Sequence, residues 1–125
     1  MDLKTFIELL SSLGIRATNN QIENLLAYHK LLEQWNKKIN LVSRQLKDKI
    51  WEEIYYDSLI PNRFNLIPQN SRCIDLGSGA GIPGIIISLF LPLKEMWLVE
   101  AQKKKILFLN LVKQTISLEK IKIFF

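Results

Sequence analysis

Apolar residues in the first 60 positions recur at steps of three and four, the spacing that forms one face of an α-helix. The first such stretch stops before Gly14, a residue type that readily takes the left-handed conformation closing a helix. Thr18 and Gln21 then have the spacing of a capping box, which marks a helix start. The pattern therefore predicts a short first helix and a long second helix that ends near Asn40.

A third helix is predicted over residues 48–59, and Pro61 is expected to close it because the residue before a proline disfavours the α conformation. Prolines, asparagines and serines are concentrated in residues 61–71, which is typical of a linker. The expected organisation is an N-terminal helical region over residues 1–60, this linker, and a different unit over residues 72–125.

The periodicity changes after the linker, where short apolar runs alternate with helical patterns. Strands are predicted at 72–76, 96–100 and 121–125, and helices at 85–90 and from 103 to about 117. A strand, helix, strand, helix, strand order predicts parallel strands with right-handed crossovers. The expected fold class is α/β, with a helical segment followed by a parallel sheet.

Residues 75–84 form a glycine-rich turn between the first predicted strand and its helix. Gly77, Gly79 and Gly81 let the backbone adopt positive φ and approach a ligand closely. The free N–H groups of the next helix are expected to point at the contents of the turn, which favours an anionic or carboxylate-bearing ligand. Glu100 ends the next strand, so it and Asp75 should lie at the sheet edge where open α/β folds bind ligands.

Two cofactor classes and a purely structural role compete for this turn. Gly79, Gly81 and Gly84 match the dinucleotide fingerprint, and Glu100 follows at about 20 residues, as NAD binding expects. Asp75 would repel a pyrophosphate but attract the ammonium and sulfonium groups of S-adenosylmethionine. A turn that serves only tight packing would not require acids at both strand ends, and this disfavours the purely structural role. The residues favour S-adenosylmethionine, with NAD and a structural turn as the alternatives.

Composition is that of an ordinary globular protein, since 48% of the 125 residues are apolar and 23% are charged. Cys73 and His29 are the only residues of their types, so a disulfide framework and a cysteine or histidine metal site are not expected. No signal sequence or membrane-spanning segment is recognisable. These features predict a protein of the reducing cytoplasm without a metal ion.

The net charge of +5 permits a polyanionic partner such as RNA. Two groups of basic residues are candidates for that contact: Lys103, Lys104 and Lys105, and Lys37, Lys38, Arg44, Lys47 and Lys49. Solvated helix faces explain them equally well. Trp51, Tyr55 and Tyr56 can stack on bases, but core packing is the simpler explanation.

Several motifs together resemble the glucose-inhibited division protein B family, also called RsmG. They are Asn-Leu-Val-Ser at 40–43, Asp-Ser-Leu at 57–59, the glycine run at 75–84, Leu-Val-Glu at 98–100, and the pairs Lys104-Lys105 and Phe108-Leu109. The resemblance implies that the sheet is the first half of a Rossmann-like methyltransferase fold with parallel strands. It also implies an enzyme that uses S-adenosylmethionine to methylate guanine N7 in small-subunit (16S) ribosomal RNA.

The resemblance also implies roles for individual residues, although it identifies no catalytic one. The positions matching the methionine side of the cofactor are Asp75, Gly77, Gly79, Gly81 and Ile82, and the position matching the ribose contact is Glu100.

Two departures from the family pattern qualify these expectations. An Arg-His pair of the family is replaced by Glu53 and Ile54, so that helix is not expected to contact RNA or cofactor. The family is also much longer, which predicts an incomplete chain with weak or no activity alone, or a non-catalytic RNA- or protein-binding remnant. With only three strands, Cys73, Ile74 and Leu76 are expected on an exposed apolar edge that permits self-association.

Overall fold

The computed structural model describes residues 1–125, except for the side chain of Leu46. Its N-terminal part is helical: α1 (Leu3–Leu10), a 3₁₀-helix (Ser11–Leu13), α2 (Asn19–Asn36), α3 (Arg44–Lys47), a π-helix (Trp51–Tyr56), α4 (Asp57–Leu59) and a second 3₁₀-helix (Ile60–Phe64). Strands and helices then alternate: β1 (Arg72–Leu76), α5 (Gly84–Phe90), β2 (Glu95–Val99), α6 (Lys103–Ile116) and β3 (Ile121–Phe124). The predicted α/β class is confirmed.

The caps of the first two helices are those that the sequence predicts. Gly14 has the left-handed φ of 77°. At the start of α2, the Gln21 N–H donates to the Thr18 hydroxyl oxygen at 3.1 Å, and the Thr18 N–H donates to the Gln21 side-chain oxygen at 2.9 Å. This reciprocal pair satisfies two backbone donors that the helix itself cannot.

The end of α2 differs from the prediction, since the helix stops at Asn36 rather than near Asn40. The side-chain oxygen of Asn36 accepts hydrogen bonds from the N–H groups of Leu41 and Val42, both at 2.9 Å. These bonds fold the following segment back onto the helix end, an example of a short polar side chain competing with helix continuation.

The predicted third helix is an interrupted series of helical turns. It contains the π-helix Trp51–Tyr56 and runs through α4, and α3 precedes it between the second and third predicted helices. Pro61 does not close it, because Pro61 lies at the start of the 3₁₀-helix Ile60–Phe64 inside the predicted linker. The fixed φ and missing N–H of proline suit the first turn of a helix as well as its end.

One continuous group of buried apolar residues joins the helical region to the sheet. Fully buried members from both parts are Phe6, Leu25, Leu59, Ile86, Leu98 and Phe108. Tyr55 is also fully buried, so its predicted core role is confirmed, and its hydroxyl lies 2.7 Å from His29 Nδ1. The predicted division of the chain into a helical unit (1–60), a linker (61–71) and a second unit (72–125) stays a prediction.

The three strands are parallel in the order β1-β2-β3. All three lie within one residue of their predicted bounds. Helices α5 and α6 pack against β2 and β3, and α2 packs on both helices from outside.

β1 forms one end of the sheet, as the sequence analysis expected. Ile74 and Leu76 on this strand are exposed, but Cys73 is half buried against the core. The expectation for Cys73 was wrong because successive side chains of a strand face opposite sides of the sheet. Self-association through this edge stays a prediction.

Candidate functional site

A loop of glycines connects β1 to α5 at the carboxyl end of the sheet. Gly77, Gly79 and Gly81 have φ values of 70°, 56° and 85°. The N–H groups of Gly77 and Ser78 both donate to the Val99 carbonyl, at 2.8 and 3.1 Å, which fastens the loop to the end of β2. The loop is therefore built by the residue type that reaches positive φ without strain.

The glycines of the loop serve two different purposes. A Cβ atom on Gly77 would meet no atom within 4 Å, so this glycine faces open space. A Cβ on Gly81 would lie 2.3 Å from Ile85 Cδ1, and one on Gly84 would lie 2.5 Å from Leu98 Cδ2. Gly81 and Gly84 thus permit close packing, whereas Gly77 leaves room for a ligand.

Asp75 ties the start of α5 to β1. Its Oδ2 atom accepts a hydrogen bond from the Gly84 N–H at 3.0 Å. Burial raises the pKa of Asp75, although hydrogen bonds from Gly84 and Ser78 act in the opposite direction. The first N–H of α5 is therefore occupied by a side chain, contrary to the expectation of free donors aimed at a ligand.

Glu100 ties the loop to the end of β2. Its Oε1 atom accepts from the Gly79 N–H at 2.8 Å, and its Oε2 atom accepts from the Gln102 N–H at 2.9 Å. Burial raises the pKa of Glu100, but the backbone N–H groups of Gln102, Gly79 and Ala101 outweigh burial and hold it below the ordinary value. A carboxylate has about four acceptor positions, so Glu100 retains capacity for ligand hydroxyls.

Both acids belong to the same face of the sheet. Asp75 pairs with Leu98 in the parallel register of β1 and β2. Glu100 follows Leu98 by two residues, and alternate residues of a strand share a face. Asp75 and Glu100 therefore hold one loop from two neighbouring strand ends.

A cavity of about 530 Å³ lies between this loop and the helical region. The loop contributes Gly77 to Ala80, Ile82 and Pro83 to its wall, and the helical region contributes Leu41 to Ser43, Glu53, Ile54, Asp57 and Ser58. Its volume is that of a typical small-molecule site. Asp75 and Glu100 lie behind the loop, and Gly81 is a loop residue that does not line the cavity.

Glu53 and Ile54 line this cavity, although the sequence predicted no site contact from their helix. Glu53 and Asp57 are both exposed, so two carboxylates face the loop from one helical turn apart. A helix that was not expected to contact RNA or cofactor therefore forms part of the cavity wall.

Tyr28 is a site residue that the sequence analysis missed. Its hydroxyl donates to the Ala80 carbonyl at 2.7 Å, and both residues are buried. Burial also raises the pKa of Tyr28 well above its ordinary value, so the hydroxyl stays a donor. The helical spacing of Leu25, Tyr28 and Leu32 indicates burial, but no sequence signal identifies Ala80 as the partner.

Within the described part of the chain, no group of three or more histidine, cysteine or acidic side chains is arranged to hold a metal ion. Among the described helices, none combines the length and apolar character needed to cross a membrane.

The sequence matches the model of one protein family, described as rRNA small subunit methyltransferase G, over residues 21–124. Curated relatives called Ribosomal RNA small subunit methyltransferase G include one from Streptococcus gordonii, 33% identical over 97% of this chain and 52% of the relative. Another, from Francisella philomiragia, is 36% identical over 91% of this chain and 54% of the relative. The chain spans about half the length of the curated relatives it matches.

Replacing Tyr28 with phenylalanine removes the donor to the Ala80 carbonyl and leaves a buried acceptor unsatisfied. The free energy of unfolding, measured by urea denaturation, should fall by about 1–3 kcal/mol. Tyr56→Phe is the matched control, because the Tyr56 hydroxyl makes only a 3.5 Å contact with Ser12 and should change stability by less than about 0.5 kcal/mol. Equal losses in the two variants would contradict the role assigned to Tyr28.

Glu100→Gln should destabilise the fold in a pH-dependent way. Because the pKa of Glu100 is lower in the folded state, its ionised form stabilises the fold above the unfolded pKa, and this stabilisation disappears as pH falls through the folded pKa. At pH 7 the free energy of unfolding of the variant should be about 1–3 kcal/mol lower, because its amide cannot accept both N–H groups through two oxygens. The difference in unfolding free energy between the variant and the unmodified chain should shrink as the pH falls below 4.5, the ordinary pKa of a glutamate.

Denaturation at a series of pH values measures that difference. Glu23→Gln removes the same charge from an exposed position on α2 and should leave stability at pH 7 nearly unchanged. A Glu100→Gln difference that stays constant down to acidic pH would show that the carboxylate charge has no part in holding the loop.

Proposed function

Since the chain belongs to the rRNA small subunit methyltransferase G family, we propose that its glycine loop binds S-adenosylmethionine for methylation of guanine N7 in small-subunit (16S) ribosomal RNA. The observation that carries the proposal is the cavity of about 530 Å³ with Gly77 and Gly79 on one wall and two carboxylates on the other. We further propose that the reaction takes place in the cytoplasm.

The charges around the loop favour a cationic cofactor. Glu53 and Asp57 line the cavity, while Asp75 and Glu100 lie directly behind the loop. Four carboxylates in this arrangement attract the ammonium and sulfonium groups of S-adenosylmethionine and repel a pyrophosphate.

The start of α5 gives a second argument against NAD. Dinucleotide folds place the pyrophosphate on free N–H groups at a helix N-terminus. Here the Gly84 N–H already donates to Asp75, and the Ile85 N–H donates to the Gly81 carbonyl at 2.6 Å. The first two N–H donors of α5 are therefore engaged within the protein.

Each predicted site residue has a role in this proposal. Gly77, Gly79 and Ile82 would contact the methionine part of the cofactor from the cavity wall. Glu100 is 7% exposed and does not line this cavity, so its contact with the ribose hydroxyls would use the acceptor positions left free beside the Gly79 N–H. Asp75 and Gly81 would act by holding the loop in shape. When bound, S-adenosylmethionine supplies an electrophilic methyl group next to these residues.

Guanine N7 is an acceptor that carries a lone pair and no proton. Its methylation therefore requires no general base, and we assign no catalytic residue. The contribution of the protein would be positioning of the two reactants, an effect that can be worth about 7–11 kcal/mol. The walls formed by the loop and by the π-helix would provide that positioning.

Basic residues beside the cavity would hold the RNA backbone. A second cavity, of about 470 Å³, is lined by Lys37, Lys38 and Arg44 and shares Val42 and Ser43 with the first. Phosphates bound along these side chains would bring a base to the mouth of the first cavity. Because the chain covers about half of its relatives, we expect weak turnover by this chain alone.

Calorimetry with S-adenosylhomocysteine and with NAD tests the cofactor assignment. We expect binding of S-adenosylhomocysteine and no binding of NAD. Gly77→Ala should weaken that binding at least tenfold, because its methyl group would project from the cavity wall into the space for the ligand. Gly14→Ala is the control, since Gly14 has a similar φ of 77° but does not line this cavity, so both variants carry about the same backbone strain of 1–2 kcal/mol.

Binding of NAD alone would overturn the assignment, and so would equal loss of affinity in the two glycine variants.

Methyl transfer to undermethylated small ribosomal subunits tests the proposed reaction. The chain should incorporate methyl groups at guanine N7 more slowly than the complete Streptococcus gordonii relative, and cleavage chemistry specific for 7-methylguanosine should locate them. Cofactor binding without any incorporation would instead support the alternative that the chain is a non-catalytic RNA- or protein-binding remnant.

A further inference from the structure

Two adjacent residues of α2 contact opposite walls of the cavity between the glycine loop and the helical region. The Tyr28 hydroxyl donates to the Ala80 carbonyl of the glycine loop at 2.7 Å. His29 Nδ1 lies 2.7 Å from the hydroxyl oxygen of Tyr55, which belongs to the π-helix. Successive residues of an α-helix point about 100° apart, so a single turn of α2 reaches both elements.

The π-helix determines the composition of the second wall. Glu53 and Ile54 lie within it, and Asp57 and Ser58 follow directly. The Asp57 N–H donates to the carbonyl of Glu52, five residues earlier, which is the hydrogen bond of a π-turn. An α-turn would close one residue sooner and would rotate the side chains before the turn relative to those after it. The π-turn therefore decides which side chains of this segment face the glycine loop.

His29 contacts the two aromatic residues of the π-helix that face α2. Its ring centroid lies 5.2 Å from that of Trp51 and 5.7 Å from that of Tyr55. Tyr55 is fully buried, and His29 is the hydrogen-bond partner of its hydroxyl within the described part of the chain. A buried hydroxyl without a partner is costly. The bond to His29 therefore favours the π-helical conformation that places the Tyr55 oxygen beside the imidazole.

The contacts of the imidazole define the direction of this hydrogen bond. His29 Nε2 lies 2.8 Å from a carboxylate oxygen of Glu33, which can only accept. In the neutral ring the proton is then on Nε2, and Nδ1 is the acceptor. Burial raises the pKa of Tyr55 above its ordinary value, so its hydroxyl keeps the proton that it donates. The hydrogen bond thus runs from Tyr55 to His29.

We propose that His29 is a positioning residue of the cavity, which together with Tyr28 fixes the separation of the glycine loop and the π-helix from one turn of α2. A site whose walls are already held in place loses less conformational entropy when a ligand binds. The inference rests on the proposed function in taking this cavity as the cofactor site.

His29→Leu and His29→Asn form a matched pair, because the two new side chains have the same branching and nearly the same size. Asparagine keeps a hydrogen-bond acceptor for the Tyr55 hydroxyl, and leucine does not. In calorimetry with S-adenosylhomocysteine, His29→Leu should bind about tenfold more weakly than the unmodified chain. His29→Asn should restore most of that affinity.

Tyr55→Phe removes the same hydrogen bond from the other partner and should also weaken binding about tenfold. The double variant with His29→Leu and Tyr55→Phe should lose about tenfold in total, rather than about a hundredfold, because both substitutions remove one shared interaction. Circular dichroism verifies that each variant is folded at the temperature of the binding measurement.

Amide hydrogen exchange tests the positioning role without cofactor. His29→Leu should speed exchange of residues 51–58 about tenfold and affect residues 77–80 less, whereas Tyr28→Phe should act mainly on residues 77–80. If the unmodified chain does not bind S-adenosylhomocysteine but these exchange patterns are observed, the proposed function fails and the positioning role stands.

Three results would overturn the proposal: full affinity in His29→Leu, an equal loss of affinity in His29→Asn and His29→Leu, or exchange that speeds uniformly over the whole fold. The last result would show that His29 contributes only to overall stability.

Discussion

The glycine loop keeps its shape because carboxylates at the ends of two neighbouring strands accept its backbone N–H groups. Glu100 accepts from Gly79, and Asp75 accepts from Gly84. A loop with three positive-φ glycines has many alternative conformations, and folding must offset the entropy of selecting one. Charged acceptors in a largely buried setting make hydrogen bonds strong enough to select it.

The helical region acts on the same loop from the other side. Tyr28 holds the Ala80 carbonyl, and the segments around Ser43 and Asp57 form the opposite wall of the cavity. The cavity therefore exists only when the helices and the sheet are packed together. The buried aromatic contacts between Tyr28, Tyr55 and Phe108 are part of that packing, with ring centroids about 6 Å apart.

Helices cover one face of the sheet, and the other face is exposed to solvent. Helices α5 and α6 bury Met96, Leu98 and Ile121, while Trp97 and Phe124 remain accessible on the opposite face. A protein that exposes a continuous apolar surface at a sheet edge is prone to association of some kind. The loop and its cavity do not depend on that surface, since the hydrogen bonds that hold them come from β1, β2 and α2.

The sequence by itself determined the order of strands and helices over residues 72–125, the capping box at Thr18 and the loop glycines, because each depends on local spacing or on the conformational range of one residue type. Only the tertiary structure decided that α2 ends at Asn36, that Tyr28 reaches Ala80, and which glycines face the cavity. Those features depend on contacts between residues far apart in the chain, and periodicity carries no information about such partners. The family motifs predicted a set of site residues, and packing divides that set between the cavity wall and positions outside it.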